Sequence, residues 1–203
     1  MTSARSRILA AALIAGVLAG PPAALRAQDP MAGMAMDHIM VPKGAGYTVA
    51  DVEFMQGMIA HHAQAIVMSR MAETHGASAK LLKFTQKIDQ SQSVEIRLMQ
   101  NWLRDNGQAA PDTSSWHTHM MAGMLSAEQL RQLDASHGVE FERNFLEMMI
   151  QHHEGALKMV DDLFASPGAG QEVNVSVFAN DVVTVQTAEI GLMRRMLSAL
   201  PGA

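Results

Sequence analysis

Apolar residues recur every three or four positions along most of the chain, which is the spacing of amphipathic helices. The pattern predicts four long helices, at about 49–75, 78–105, 126–165 and 171–199. Thr48 and Asp51 have the spacing of a capping box at the start of the first helix. Ser126 and Gln129 repeat this motif at the start of the third helix, and Gly138 marks a potential break within it.

An internal repeat organises these helices. Residues 54–62 align with 145–153 at a shift of 91, and residues 84–99 align with 178–193 at a shift of 94. The second and fourth helices are therefore equivalent, so we predict a helix at 173–177 although its alternating β-branched residues are typical of a strand. Short connections within each pair favour antiparallel neighbours. The sequence thus predicts an all-α, up-down four-helix bundle built from two repeated helix pairs.

Polar residues interrupt the apolar stripes that should face the core, and they do so alike in both halves. Each half carries M-I-x-H-H on its first helix and Q-x-x-E-I-x-L-M on its second. An imidazole or carboxylate within an apolar stripe is costly unless it is paired. Carboxylate, imidazole and thioether groups are also metal ligands that a bundle can bring to one site. The pattern predicts a metal site at His61, His62, His152 and His153, with Glu95, Glu189 and methionines of both halves.

Other interpretations of these residues stay open at this point. Glu95 and Glu189 are either metal ligands or acceptors of hydrogen bonds from ligating imidazoles. Without a metal, buried His–Glu pairs would fix the register of the helices, and the methionine stripes would serve as packing. The two histidines of each pair lie on adjacent stripes, so the pattern does not say which of them faces inward.

Methionine is unusually frequent, with 18 residues against 6 Phe, 2 Trp and 1 Tyr, and there are 9 histidines. Thioethers select Cu(I), whereas imidazole also suits Cu(II). Two segments outside the predicted helices concentrate both residue types, and we expect these segments to be exposed and mobile rather than packed on the bundle. Their candidate copper ligands are Met31, Met34, Met36, His38 and Met40 near the N-terminus, and His117, His119, Met120, Met121 and Met124 in the junction between the halves.

The first 27 residues show the features of a secretory signal peptide. Arg5 and Arg7 precede a short apolar run at 8–20, and small residues lead to a candidate cleavage position after Ala27. The run is too short to span a membrane, so we predict a periplasmic or secreted protein with no membrane span after cleavage. The chain has no cysteine, which excludes disulfides, and no basic patch, which argues against nucleic acid as a partner.

The chain therefore divides into a signal peptide at 1–27, a Met/His-rich arm at 28–47 and a bundle domain at 48–203. Within the bundle domain, the first repeat spans about 48–106, the Met/His-rich junction 107–125 and the second repeat about 126–200. Acidic residues exceed basic ones by 20 to 15, a mild excess that attracts cations without specifying a partner.

The doubled F-x-x-x-M-I-x-H-H-x-x-A-x-x-M block, the doubled Q-x-x-E-I-x-L-M block and the M-x-G-M junction resemble the domain-of-unknown-function 305 (DUF305) family over about residues 48–200. The resemblance implies a ferritin-like four-helix fold and, for exported members of the CopM type, periplasmic copper binding and copper resistance. The Met-rich segment at 31–40 lies outside the resemblance. Carried over by position, the implied metal ligands are Met58, His61, His62, Glu95, Met99, Met149, His152, His153, Glu189 and Met193.

Three hypotheses about function follow. The first is an exported protein that sequesters or transfers copper, chiefly Cu(I) and also Cu(II), together with other exported copper-handling proteins. The second is a ferritin-like metal-dependent redox enzyme, but no Glu-x-x-His motif stands on the core helices, since Glu53 and Glu147 lack the histidine. The third is a structural bundle whose methionine surfaces bind a partner protein. We expect the first, without enzymatic turnover.

Overall fold

The computed structural model describes residues 39–118 and 120–202, and every regular element in these residues is helical. The α-helices are α1 (Val49–Met71), α2 (Ala79–Asp105), α3 (Ala127–Ala135), α4 (Gly138–Ala165) and α5 (Val173–Leu197), with a 3-10 turn at Thr113–Thr118. The four predicted helices are confirmed except at their ends, and the strand-like start of the last one is helical. The predicted signal peptide, the arm residues 28–38 and His119 lie outside the described residues.

The helix starts follow from local hydrogen bonds that the sequence specifies. In the predicted capping box of α1, the Thr48 backbone N–H donates to Asp51 Oδ2 at 2.7 Å, and the Asp51 N–H donates to Thr48 Oγ1 at 3.3 Å. Ser126 and Gln129 form the predicted box of α3. The predicted break separates α3 from α4, where Gly138 has a φ of 59° that favours glycine.

The directions of the helices follow from hydrogen bonds at the two ends of the bundle. At one end, the backbone N–H of Gly170, after α4, donates to Asp51 Oδ1 at 2.7 Å. At the other end, the Gly138 N–H donates to the His75 carbonyl at 2.8 Å. Helices α1 and α4 are therefore antiparallel, and α2 and α4 run in the same direction. Residues 106–137 cross back along the bundle, which is the one long connection of ferritin-like bundles.

Two apolar clusters form the core, one toward each end of the bundle. The proximal cluster, at the N-terminal end of α1, includes Phe54, Met58, Met99, Val160 and Phe178. The distal cluster includes Met68, Phe84, Phe141, Met149 and Met193. Along α1 and α4, the double-histidine motifs lie between the residues of the two clusters, so a polar layer divides the core. Among the described residues, no helix combines the length and apolar character needed to cross a lipid bilayer.

Candidate metal centre

Four histidine side chains occupy the layer between the two apolar clusters. His61 and His62 come from α1, His152 and His153 from α4, and none of the four has any solvent exposure. The rings of His61 and His152 face each other with their centroids 3.8 Å apart. Because α1 packs against α2, α4 and the junction, both members of its histidine pair are enclosed. The structure thus answers the question that the stripes left open: both histidines of each pair face inward.

Each half pairs one histidine with the glutamate of its second helix. His62 Nε2 lies 2.7 Å from Glu95 Oε2, and His153 Nε2 lies 3.0 Å from Glu189 Oε2. A carboxylate only accepts, so Nε2 carries the hydrogen and donates in both pairs. The Nδ1 atoms of His62 and His153 have no hydrogen-bond partner among the described residues. This is the arrangement in which a carboxylate orients an imidazole and leaves its other nitrogen for a metal.

His61 is oriented by the backbone of the junction instead of by a carboxylate. Its Nε2 donates to the Ala122 carbonyl at 3.0 Å, and its Nδ1 is without a partner in the described chain. His152 lies near the backbone of His61 but without the geometry of a hydrogen bond, and neither of its ring nitrogens has a partner there. A buried polar atom without a partner is costly, so the unpaired ring nitrogens of this layer are available to bind a ligand.

Burial keeps the two facing histidines neutral. Desolvation, followed by the charge of His62, lowers the pKa of His61 from 6.5 to about 3, although the hydrogen bond to Ala122 opposes the shift. Desolvation and then the charges of His61 and His153 lower the pKa of His152 well below its ordinary value. Neutral imidazoles are the form that binds metals, and the Ala122 hydrogen bond leaves the lone pair of His61 on Nδ1.

The two glutamates stand in different surroundings. Burial by itself would raise the pKa of Glu95, but the hydrogen bond and charge of His62, with the charge of His153, outweigh it and lower that pKa. Glu95 keeps 24% of its side chain exposed, whereas Glu189 keeps 5%. Lys87 Nζ lies 3.5 Å from Glu189 Oε1 and partly neutralises this deeper carboxylate. The layer is therefore closer to solvent on the Glu95 side.

Four fully buried methionines flank the histidine layer on both sides. Met58 and Met99 belong to the proximal cluster, and Met149 and Met193 belong to the distal cluster. Met58 precedes His61 by three residues, and Met149 precedes His152 by three, so each thioether is one helical turn from a layer histidine. Along the bundle, two of the predicted methionines thus lie on the proximal side of the histidine layer and two on its distal side.

Two glutamines belong to this region although no site role was predicted for them. Gln92 and Gln186 are buried one turn before Glu95 and Glu189, and their Oε1 atoms have no partner among the described residues. The signal was present in the repeated Q-x-x-E pattern, because an amide is as unusual in an apolar stripe as a glutamate.

The donor set favours a soft metal over a hard one. Across residues 39–118 and 120–202, no three His, Asp or Glu side chains come together as a metal site. An ion in the layer would therefore depend on the facing imidazoles together with thioethers. Thioether and imidazole ligands suit copper, and thioethers select Cu(I). The residues present fit a copper ion better than a carboxylate-bound metal such as iron or magnesium.

The junction is only partly as expected. Met120 and His117 are exposed, as predicted, but Met124 is buried and Met121 is half-buried, so the expectation of an exposed junction is wrong for these two. Met40 is exposed in the N-terminal segment. His119 and the remaining candidates of that segment, Met31, Met34, Met36 and His38, lie outside the described residues.

Close backbone packing explains why part of the junction is buried. Gln64 holds Leu125 through two hydrogen bonds, from Gln64 Nε2 to the Leu125 carbonyl at 3.0 Å and from the Leu125 N–H to Gln64 Oε1 at 2.7 Å. A Cβ on Gly155 would lie 2.0 Å from the Ala122 oxygen, so the junction backbone touches α4 directly. The M-x-G-M motif is therefore a strap across α1 and α4 that carries the acceptor of His61.

Comparisons with known proteins agree with this geometry. A family model described as Domain of unknown function (DUF305) matches residues 51–197. A DUF305 fragment from Deinococcus radiodurans is 28% identical, with a TM-score of 0.67, and the match covers 76% of this chain and 99% of that one. A candidate secreted DUF305 protein from Streptomyces coelicolor is 25% identical, with a TM-score of 0.64 and coverage of 73% and 92%. Among curated proteins, none matches.

A third similar structure was solved with copper. CopM in its Cu(I)-bound form is 25% identical to this chain, with a TM-score of 0.58, and the match covers 73% of this chain and 95% of CopM. The Cu(II)-bound form of CopM has the same identity and coverage, with a TM-score of 0.59. The chain is thus similar to a protein that was solved with copper bound in both oxidation states.

Proposed function

Because the chain belongs to the DUF305 family, we propose that it is an exported copper-binding protein that sequesters or transfers copper without turnover. CopM, at 25% identity, is a similar protein solved with Cu(I) and with Cu(II), which supports copper as the cargo. The secretory features of residues 1–27 support export, as does the description of the Streptomyces coelicolor protein as a candidate secreted one.

One observation carries the proposal: the core contains oriented imidazoles whose free nitrogens have no use in the metal-free protein. His62 and His153 are held by glutamates through Nε2, and His61 is held by the Ala122 carbonyl. In each of them Nδ1 lacks a partner among the described residues. A purely structural layer would be expected to satisfy these atoms, because each orphaned group costs about 1–3 kcal/mol.

The chemistry of the donors favours Cu(I) in the bundle. Met58, Met99, Met149 and Met193 supply thioethers, which need no deprotonation to bind and select soft ions. The layer histidines add nitrogen donors that also accept Cu(II). Copper would enter from the surface segments that carry Met40, Met120 and His117 and would then exchange with the shielded layer. The protein's part is to orient donors, exclude water and hold His61 neutral.

Binding is favoured over catalysis by the carboxylates of the layer. A dinuclear oxidase of the ferritin type uses a glutamate from each of two helices and Glu-x-x-His from the other two. Here the layer contributes Glu95 and Glu189, and each is engaged by a histidine. We therefore propose that copper is cargo and that these glutamates orient imidazoles.

Replacing His152 with leucine tests the proposal, because within residues 39–118 and 120–202 His152 makes no hydrogen bond that a structural role would need. We expect His152→Leu to weaken copper binding by at least about tenfold. Loss of a residue that only orients a metal ligand already weakens metal binding by about this factor. The same variant should raise the free energy of unfolding of the metal-free protein by about 1–3 kcal/mol, since it removes buried orphan nitrogens. Competition titration with copper and urea unfolding measure the two effects.

His137→Leu is the matched control, because His137 is an exposed histidine whose side chain does not cap α4. It should leave copper binding unchanged. If His152→Leu lost stability and kept its copper affinity, the layer would be structural and the bundle site would be abandoned. If the wild-type protein bound no copper in either oxidation state, the proposed function itself would be wrong.

A further inference from the structure

The ends of the Met121 and Met159 side chains meet above Gly57 of α1, and Met159 also packs against the proximal cluster. We propose that Met121 and Met159 form a separate binding site for a soft monovalent cation above Gly57, one helical turn from His61. The proposal rests on the proposed function only for the identity of the cation, Cu(I). Met159 is the last methionine of the repeated double-histidine block, and it would be the additional ligand because it is not among the ligands predicted from the sequence.

The geometry at Gly57 carries this inference. A Cβ on Gly57 would lie 3.5 Å from Met121 Sδ and 3.4 Å from Met159 Cε. The ends of two methionine side chains, one from the junction and one from α4, therefore reach the same point on α1. Both residues are half-buried, so they lie between bulk water and the closed core. Paired thioethers in such a position select Cu(I) over harder ions.

The fold holds Met121 in place through its neighbours. The Met121 backbone N–H contacts Met124 Sδ at 3.4 Å, and the next residue, Ala122, accepts the hydrogen bond of His61. Gln64 anchors the strap on its other side through Leu125. One thioether ligand is thus covalently adjacent to the group that orients a layer histidine, so the two sites share a rigid connection.

The internal repeat shows that this arrangement is specific to one half. Gly57 corresponds to Met148 in the second repeat, and Met159 corresponds to Met68 in the first. Met148 and Met68 are both buried, and Met68 packs within the distal cluster. Where the strap crosses α1, a glycine replaces the side chain that fills the equivalent place in α4. The glycine leaves room for the two methionine ends, which a long side chain at this position would displace.

A shallow cavity gives the site access to solvent. It measures about 190 Å³ and is lined by Glu53, Phe54, Met159 and Asp162, among others. Lys158 pairs with Asp162 at 2.8 Å, so Glu53 supplies the unbalanced negative charge of this opening. A carboxylate at the mouth raises the local concentration of cations. Of the two methionines, Met159 lines this cavity, so a cation that enters here would reach its thioether while His61 stays fully buried.

Anaerobic titration with Cu(I) against a chromophoric chelator, combined with X-ray absorption to count sulfur neighbours, tests this site. Met121→Leu with Met159→Leu removes both thioethers at nearly constant volume, and Gly57→Leu fills the gap while keeping them. We expect both variants to show fewer sulfur neighbours for each bound Cu(I), since the thioethers of the layer remain, and to weaken the binding of one Cu(I) equivalent by at least about tenfold. Zn(II) binding should not change, because zinc prefers nitrogen and thiolate donors.

Controls separate this site from the layer and from the proposed function. Met68→Leu changes the buried counterpart of Met159, which has no proposed part in copper binding, and it should bind as wild type does. His152→Leu should lose the copper of the layer and keep this equivalent. Unchanged sulfur coordination and affinity in both test variants would overturn the site, whereas a wild-type protein that takes up no Cu(I) would overturn the proposed function instead. Circular dichroism confirms that each variant stays helical.

Discussion

Acidifying the metal-free protein from pH 7 to pH 5 should reduce its free energy of unfolding by about 2 kcal/mol through His61, with a further loss through His152, because both buried histidines resist protonation. The pKa of His61 falls from 6.5 to about 3 in the folded protein, and that of His152 also lies well below 6.5. At a pH between the unfolded and the folded pKa, these histidines are protonated in the unfolded chain and neutral in the folded protein. Each histidine then costs about 1.4 kcal/mol for every pH unit below 6.5.

The sign of the effect follows from this difference. Stability is complete above pH 6.5, where both states are neutral at these histidines, and it falls as the pH drops toward the folded pKa. Glu95, whose pKa is lowered from 4.5, adds a further loss only at more acidic pH, when its carboxylate is protonated in the unfolded chain first. The loss between pH 7 and pH 5 therefore reports on the histidines.

Urea unfolding at a series of pH values measures this dependence, and His152→Leu provides the control. That variant should show a smaller dependence of its free energy of unfolding on pH, since His61 is then the one strongly shifted histidine of the layer. Copper bound to the layer should oppose acid unfolding, because it stabilises the folded state alone. A metal-free protein equally stable at pH 7 and pH 5 would show that His61 and His152 are accessible to protons, contrary to their complete burial.

Gly155→Ala should destabilise the protein by about 3 kcal/mol or more, although alanine is the better helix former. A Cβ at this position would lie 2.0 Å from the Ala122 oxygen and 2.5 Å from the Gly123 Cα. Both contacts are with backbone, which cannot move aside as a flexible side chain can. The strap would have to lift from α4, and His61 would lose the carbonyl that orients its Nε2.

Gly57→Ala is the matched control, since Gly57 also lies within a long helix beneath the junction. A Cβ there would meet only the ends of Met121 and Met159, at 3.4 Å or more. We therefore expect this variant to gain up to about 1 kcal/mol from helix propensity. Thermal or urea unfolding gives the stabilities, and hydrogen exchange at residues 120–126 reports whether the strap has lifted. Equal stability of the two variants would mean that the strap does not pack tightly on Gly155.

The strap is the feature that makes the two halves of the bundle differ. The two helix pairs are nearly equivalent in sequence, yet His61 is oriented by a carbonyl of the strap, whereas His152 has no oriented nitrogen. Because the strap orients His61 in the first half and leaves the equivalent His152 of the second half without such a contact, the two halves of the pseudo-symmetric bundle are not equivalent. Copper that arrives beside the strap would meet the thioethers of Met121 and Met159 before it reached the layer.

Local and periodic features could be determined from the sequence alone. The capping box of Thr48 and Asp51, the break at Gly138 and the equivalence of the two halves all depend on residues near each other in the chain or on a repeated pattern. The placement of the two double-histidine motifs on core-facing stripes was also predictable, because a helix places residues three and four apart on one face, but which histidine of each pair faces inward was not. The fold and the polar layer of the core therefore followed from periodicity.

Pairings between helices could be decided only by the tertiary structure. A slip of one helical turn, about 5.4 Å, would preserve every stripe and yet separate His62 from Glu95. The sequence pattern did not indicate the path of the junction either. Gly155, which the junction contacts, looks in the sequence like any glycine that lowers helix propensity. Contact with the Ala122 backbone makes that glycine necessary and buries Met124. The sequence by itself thus determined the helices and their core-facing stripes, because both depend on local spacing, and packing between elements decided which side chains meet and that Met124 is buried.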